Sequence, residues 1–168
     1  MILQNPIFIE IKSFILDGTF DCIKLDQSKG LILNNFPDPD CKEYKESIWQ
    51  YGALEFHFNK DTLYTIWCDN LSNLCACKSL RIEPWFLCGP SELSLEYVLS
   101  RLNKEHTNYS IMFDEKLGNA VIKIRKSRVT LWFENMENWE VRTDPNTQYS
   151  LAGIGLTSKE YDIFDKNF

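Results

Sequence analysis

The sequence predicts an α+β protein in which helices pack on a mainly antiparallel sheet of about five or six strands. Three observations support this fold class. Residues 54–59 alternate apolar and polar side chains, and a second β-rich run at 63–67 follows a short polar turn, as in a hairpin. Residues 95–102 place apolar side chains at helical spacing. Three further β-rich segments then follow between residues 108 and 133.

The first part of the chain predicts two helices. Asn5-Pro6 is typical of a helix start, and apolar residues recur at helical spacing until Gly18, which predicts the helix end. A second short helix is predicted from near Asp26 to Phe36. Two prolines in the segment 36–40 then prevent any continuation of that helix.

The second part predicts a strand at 80–83 that ends at Pro84, and then a helix with Ser94 as its N-cap. Three strands are predicted at 108–113, 119–125 and 129–133. In the tail, a capping-box pattern at 157–160 predicts a short helix through Tyr161 and Phe164.

Both halves of the chain therefore show a helix followed by antiparallel strands. This order could reflect an old duplication. It is also the common α+β arrangement of helices that cover one face of a sheet, and we favour that interpretation because the two halves share no repeated residues.

Length and composition predict a single domain over residues 1–168. A chain of 168 residues removes about 70% of its unfolded surface from water when it folds. Its apolar runs are too short to cross a bilayer, so we expect no membrane partner. The N-terminus lacks the basic residue and the cleavage site of a secretion signal, which predicts a cytoplasmic protein.

The six cysteines are expected to be thiols without a metal ion. Cys75 and Cys77 are separated by one residue, which is not the spacing of zinc ribbons, and no nearby ligands complete a site. The sequence also lacks the nucleophile-elbow, zinc-protease, Walker and dinucleotide motifs. We therefore expect no cofactor, and a protein that is not an enzyme.

The formal net charge is −6, which argues against direct nucleic-acid binding because contact with phosphates requires a basic surface. An acidic chain is better suited to a basic partner protein.

The segments 36–40 and 48–58 carry a family resemblance. The chain is similar to small bacterial cytosolic proteins in which a Pro-Asp pair is followed by W-x-Y-G-x-L-E-F-H-F, here Trp49 to Phe58. Residues 93–98 and 129–133 resemble that family's second helix and final strand, so the likeness covers residues 20–135. Phe36 stands where the family has glycine, and residues 136–168 form a divergent C-terminal tail. Such proteins occur beside polymorphic toxin and contact-dependent growth inhibition loci. The resemblance therefore implies an immunity protein that neutralises a cognate toxin.

Two surfaces are candidate sites. The first combines carboxylates, which can mimic phosphates toward a basic nuclease, with aromatic anchors; its residues are Trp132, Glu134, Met136, Glu137, Trp139, Glu140 and Asp144. The second is the pair Glu55 and His57, which share one strand face and could serve acid–base chemistry in a small enzyme or ligand-binding domain. A carboxylate and an imidazole on the polar face of a strand are, however, more often an exposed pair without a catalytic role.

Overall fold

The computed structural model describes residues 6–74, 80–88, 93–114, 118–135 and 149–163. Within these ranges, three α-helices and ten strands are present in the following order: β1 (Ile7–Glu10), α1 (Ile11–Asp17), α2 (Lys29–Asn35), β2 (Cys41–Glu43), β3 (Ile48–Tyr51), β4 (Leu54–Asn59), β5 (Thr62–Cys68), β6 (Leu80–Glu83), α3 (Leu95–Lys104), β7 (Tyr109–Asp114), β8 (Asn119–Ile124), β9 (Thr130–Asn135) and β10 (Tyr149–Thr157). A 3-10 turn, Leu71–Asn73, follows β5.

The described strands form an eight-stranded antiparallel sheet and a separate two-stranded sheet. In the large sheet the order is β2-β3-β4-β5-β10-β9-β8-β7. Two meanders of four strands therefore meet at β5 and β10, the last strand of each. The α+β class and the antiparallel sheet are confirmed, although the sheet has more strands than the five or six expected.

The N-terminal segment corrects one prediction. Residues 7–10, expected to be the first turns of a helix, form β1, which pairs in parallel with β6. Ile7, Phe8 and Ile9 are residue types that favour strands, and the distant partner strand stabilises that conformation over the helical spacing. Helix α1 begins only at Ile11. It ends as predicted at Gly18, whose backbone is left-handed with φ of 72°.

The other helix starts and stops follow the sequence signals more closely. Ser28 caps α2, since its side chain accepts a hydrogen bond from the backbone N–H of Leu31, and Phe36 ends the helix in an extended conformation. Ser94 caps α3 in the same way, with the N–H of Tyr97 as donor. Local side-chain chemistry is sufficient to place these ends.

A single hydrophobic core joins the helices to one face of the large sheet. The helices contribute Ile11, Phe14, Ile15, Ile32, Val98 and Leu102. The sheet contributes Leu54, Phe56, Ile66, Ile122, Leu131 and Ile154, among others. Because strand side chains alternate between faces, the residues between these point to the opposite face, which we call the distal face.

The C-terminal segment corrects a second prediction. Residues 158–163 form turns, with the N–H of Tyr161 bonded to the carbonyl of Ser158, where the capping-box pattern predicted a helix. Thr157 is the last residue of β10 and pairs with Thr65, and its hydroxyl accepts a hydrogen bond from Thr65 Oγ1 at 3.1 Å. Phe164 lies outside the described residues. Strand β10 itself was not predicted, nor were β2 and β3.

In the part of the chain that the structure describes, no helix is long and apolar enough to cross a membrane.

Candidate functional site

Strand pairing brings residues from distant parts of the chain onto the distal face. Glu55 pairs with Trp67, Trp67 with Gly155, Gly155 with Thr130, and Thr130 with Lys123. Side chains of directly opposed residues project to the same face of a sheet. This row therefore runs across five strands, β4, β5, β10, β9 and β8, and crosses the junction of the two meanders.

The indole of Trp67 lies flat on strand β10. A Cβ atom added at Gly155 would lie 2.3 Å from Trp67 Cε3, and one added at Gly153 would lie 2.6 Å from Trp67 Cζ2. Only glycine at both positions lets the ring approach the backbone this closely. One face of the indole therefore rests on β10, and the other face is directed outward.

A cavity of about 470 Å³ opens above this indole. Its lining includes four aromatic rings, three threonine hydroxyls and three carboxyl groups, together with Ala152 and Ile163. The aromatic residues are Tyr64, Trp67, Trp132 and Tyr161, the threonines are Thr65, Thr130 and Thr157, and the acidic residues are Asp69, Glu134 and Asp162. This size lies within the range of roughly 300–1,000 Å³ that is usual for ligand pockets.

The C-terminal turn 158–163 forms one wall of the cavity. Asp162 is buried and forms an ion pair with the Lys123 ammonium, which also donates a hydrogen bond to Thr130 Oγ1 at 3.2 Å. Arg128 Nη2 lies 3.7 Å from the same carboxylate. Tyr161 packs on Tyr64 with ring centroids 4.6 Å apart. These contacts hold the turn against the distal face.

The opposite end of the cavity is acidic. Asp69 follows the last residue of β5 and is exposed, and Glu134 is exposed on β9. Trp132 Nε1 donates a hydrogen bond to Glu134 Oε1 at 3.4 Å, which holds this carboxylate beside the indole. Among the described lining residues none is basic, so the cavity presents negative charge and aromatic surface together.

The first predicted surface is described only in part. Trp132 and Glu134 line the cavity, whereas Met136, Glu137, Trp139, Glu140 and Asp144 lie outside the described residues. The two described members are thus neighbours in one site, but the extended acidic segment stays a prediction.

The second predicted surface lies on the same sheet face as Trp132 and Glu134. Glu55 and His57 are on the distal face, with His57 Nε2 2.7 Å from Glu55 Oε2. Their side chains are 26% and 23% exposed, respectively. Since Glu55 pairs with Trp67, the dyad borders the cavity without lining it. The structure therefore brings the described residues of both sequence candidates to one face.

Sequence reasoning missed the residues that build the cavity floor. The sequence predicts only that Trp67 lies in a strand, and it predicts no element for Gly153 and Gly155. The Gly-Ile-Gly run at 153–155 is the signal that could have found them, because alternate glycines in a strand mark a close approach by another group.

Among the described residues, no three His, Cys, Asp or Glu side chains come together as a metal-binding group. The chemistry that the site offers through these residues is hydrogen bonding, aromatic stacking and negative charge.

Comparison with family models, curated proteins and solved structures gives no match to this chain.

Proposed function

We propose that this chain is a cytoplasmic immunity protein that binds a basic toxin domain, of the nuclease type, and blocks its active site with the distal face. The observation that carries the proposal is the cavity at the junction of the two meanders, in which aromatic rings and carboxylates occur together without a basic residue among the described lining. Aromatic anchors in pockets are typical of the centre of protein interfaces.

The charge of the whole molecule supports a protein partner of this kind. A net charge of −6 attracts a basic domain and accelerates its encounter with the chain. The carboxylates of Asp69 and Glu134 are exposed on the distal face, where they can occupy the positions that nucleic-acid phosphates take in a nuclease. The sequence resemblance to proteins encoded beside toxin loci points to the same role.

The test is growth rescue. The C-terminal domain of the protein encoded immediately upstream of this chain is expressed in bacteria with and without the chain. We expect that domain to arrest growth and the chain to restore it. We also expect the association rate to fall steeply as salt concentration rises, because screening weakens electrostatic steering.

A charge-reversal variant, Asp69→Lys with Glu134→Lys, tests the surface itself. Both side chains are exposed, so the folded protein should persist while rescue is lost. The matched control reverses Glu96, an exposed residue of α3, which packs on the core face of the sheet. Rescue by the distal-face variant equal to that of the parent would show that this face is not the inhibitory surface.

The second candidate function is a small enzyme or ligand-binding domain, which the 2.7 Å contact between Glu55 and His57 favours. The substitution His57→Gln separates the two functions. An immunity protein should still rescue growth with this variant, because His57 borders the cavity without lining it, whereas an enzyme that uses His57 as a base should lose its activity.

A further inference from the structure

We propose that the cavity binds an arginine side chain, with the guanidinium stacked on the outward face of the Trp67 indole and ion-paired with the carboxylates of Asp69 and Glu134. This inference deepens the proposed function and rests on it for the source of the arginine, a basic partner protein. The binding chemistry can be tested on the chain alone.

The floor of the cavity is suited to a flat cation. Gly153 and Gly155 let the inner face of the Trp67 ring lie directly on the backbone of β10. The ring cannot turn edge-on without losing this contact. The outward face carries the negative potential of the indole π-system, which attracts a cation placed over it. A guanidinium is planar and stacks on such a surface, whereas an ammonium is a compact and strongly hydrated charge.

The charges around the floor select a cation. Of the three acidic residues in the lining, Asp162 is already paired with the buried Lys123. Asp69 and Glu134 are exposed at the other end, and the hydrogen bond from Trp132 Nε1 positions the Glu134 carboxylate. Carboxylates bind the fork of a guanidinium through two parallel hydrogen bonds. A neutral ligand such as a sugar could stack on the indole but would gain nothing from these charges.

The size of the cavity suits a side chain on an extended segment. Its volume of about 470 Å³ holds an arginine together with part of its flanking backbone. Tyr64, Tyr161 and Trp132 form apolar walls that can cover the aliphatic part of the side chain. The hydroxyl of Thr157, which accepts a hydrogen bond from Thr65, can donate one to a flanking peptide carbonyl.

The experiment is a titration of the full chain with N-acetyl-arginine methylamide, followed by two-dimensional NMR and tryptophan fluorescence. Its comparison ligands are the citrulline analogue, which has nearly the same shape without the charge, the lysine analogue and glucose. We expect the arginine analogue to shift the indole N–H signals of Trp67 and Trp132, with an affinity about tenfold or more above that of the citrulline analogue. A tenfold ratio corresponds to about 1.4 kcal/mol.

The variant Asp69→Asn with Glu134→Gln should lower the affinity for the arginine analogue by about tenfold. Its affinity for the citrulline analogue should be unchanged. The control Glu96→Gln removes a charge from α3, away from the distal face, and should leave the affinity for arginine unchanged. Equal binding of arginine and citrulline, tighter binding of glucose, or no effect of the double variant would each overturn the proposal.

The immunity function and the arginine-binding cavity can be rejected independently of each other. Growth rescue without arginine binding would retain the immunity function and reject the guanidinium pocket. Arginine binding that depends on Asp69 and Glu134, without rescue from the upstream-encoded domain, would support the pocket and reject that domain as the partner.

Discussion

Trp67 takes its orientation from two glycines that lie far from it in the chain. Its ring contacts Gly153 and Gly155 where any Cβ atom would collide with it. Neither glycine has a positive φ in the structure, so their role is to leave space and not to permit an unusual backbone conformation. At the scale of single residues, the site therefore depends on the lack of a side chain at Gly153 and Gly155 as well as on the side chains that line the cavity.

The first prediction compares two glycine substitutions. Gly155→Ala should destabilise the protein by about 1–3 kcal/mol, because the added methyl group overlaps the Trp67 ring. Gly30→Ala in α2 should instead stabilise it by about 0.5–1 kcal/mol, because nothing lies within 4 Å of the added methyl group and alanine favours a helix over glycine. Urea unfolding measures both changes. Equal effects would contradict the close packing of Trp67 on β10.

The second prediction concerns the thiol of Cys68, which is buried in the core. Burial raises the pKa of this thiol from 9.0 to about 12. The folded protein therefore keeps the proton that the unfolded chain releases near pH 9. This stability contribution is fully present below pH 9 and is lost as the pH rises toward 12, with a slope of at most about 1.4 kcal/mol per pH unit.

Unfolding in urea at a series of pH values tests this slope. Cys68→Ala should reduce the loss of stability above pH 9, whereas Cys41→Ala, at an exposed position, should keep the pH dependence of the parent. Some loss should persist in both variants, because burial also raises the pKa of Tyr51. An unchanged slope in Cys68→Ala would contradict the prediction.

At the scale of elements, the C-terminal turn 158–163 is held to the distal face by a buried ion pair. The side chains of Lys123 and Asp162 are 4% and 2% exposed, and Thr130 accepts a further hydrogen bond from the ammonium. Removal of one member of such a pair leaves an uncompensated charge in the interior. This turn is therefore a structural part of the cavity wall.

The third prediction follows from that pair. Asp162→Asn should destabilise the protein by about 3–5 kcal/mol, because the Lys123 ammonium loses its carboxylate. The matched control is Asp17→Asn, which breaks the surface pair of Asp17 with Lys126, whose side chains are 44% and 78% exposed. We expect that change to cost about 0–1 kcal/mol. Thermal or urea unfolding that ranks the two variants equally would show that the buried pair contributes no special stability.

At the scale of the whole molecule, β10 joins the two meanders. It pairs with β5 on one side and β9 on the other, and it brings Ile154 and Leu156 into the core. The family resemblance ended at residue 135, which placed this strand in a divergent tail. The structure puts residues 149–157 at the centre of the sheet, where they support the floor of the cavity, and residues 158–163 form one of its walls.

The fourth prediction is that a chain ending at residue 148 does not fold cooperatively. Without β10, the edges of β5 and β9 lose their hydrogen bonds and the core loses its central strand. Circular dichroism should show no cooperative thermal transition for this fragment. Addition of a peptide of residues 149–163 should restore one. A parent-like melting transition of the fragment alone would mean that the two meanders can associate without β10.

The sequence by itself determined the elements whose signals are local. Period-two alternation located β4, the β-rich run at 63–67 located β5, and Ser94 located the start of α3, because these patterns depend only on neighbouring residues. The tertiary structure decided whatever depends on a distant partner. Residues 7–10 became a strand because β6 pairs with them, and residues 149–157 became the central strand because β5 and β9 lie on both sides. The same reason explains the site. The chain shows Glu55 and Trp67 far from Glu134, and only the pairing of β4, β5, β10 and β9 places all three on one face, since strand register is fixed by contacts across the sheet.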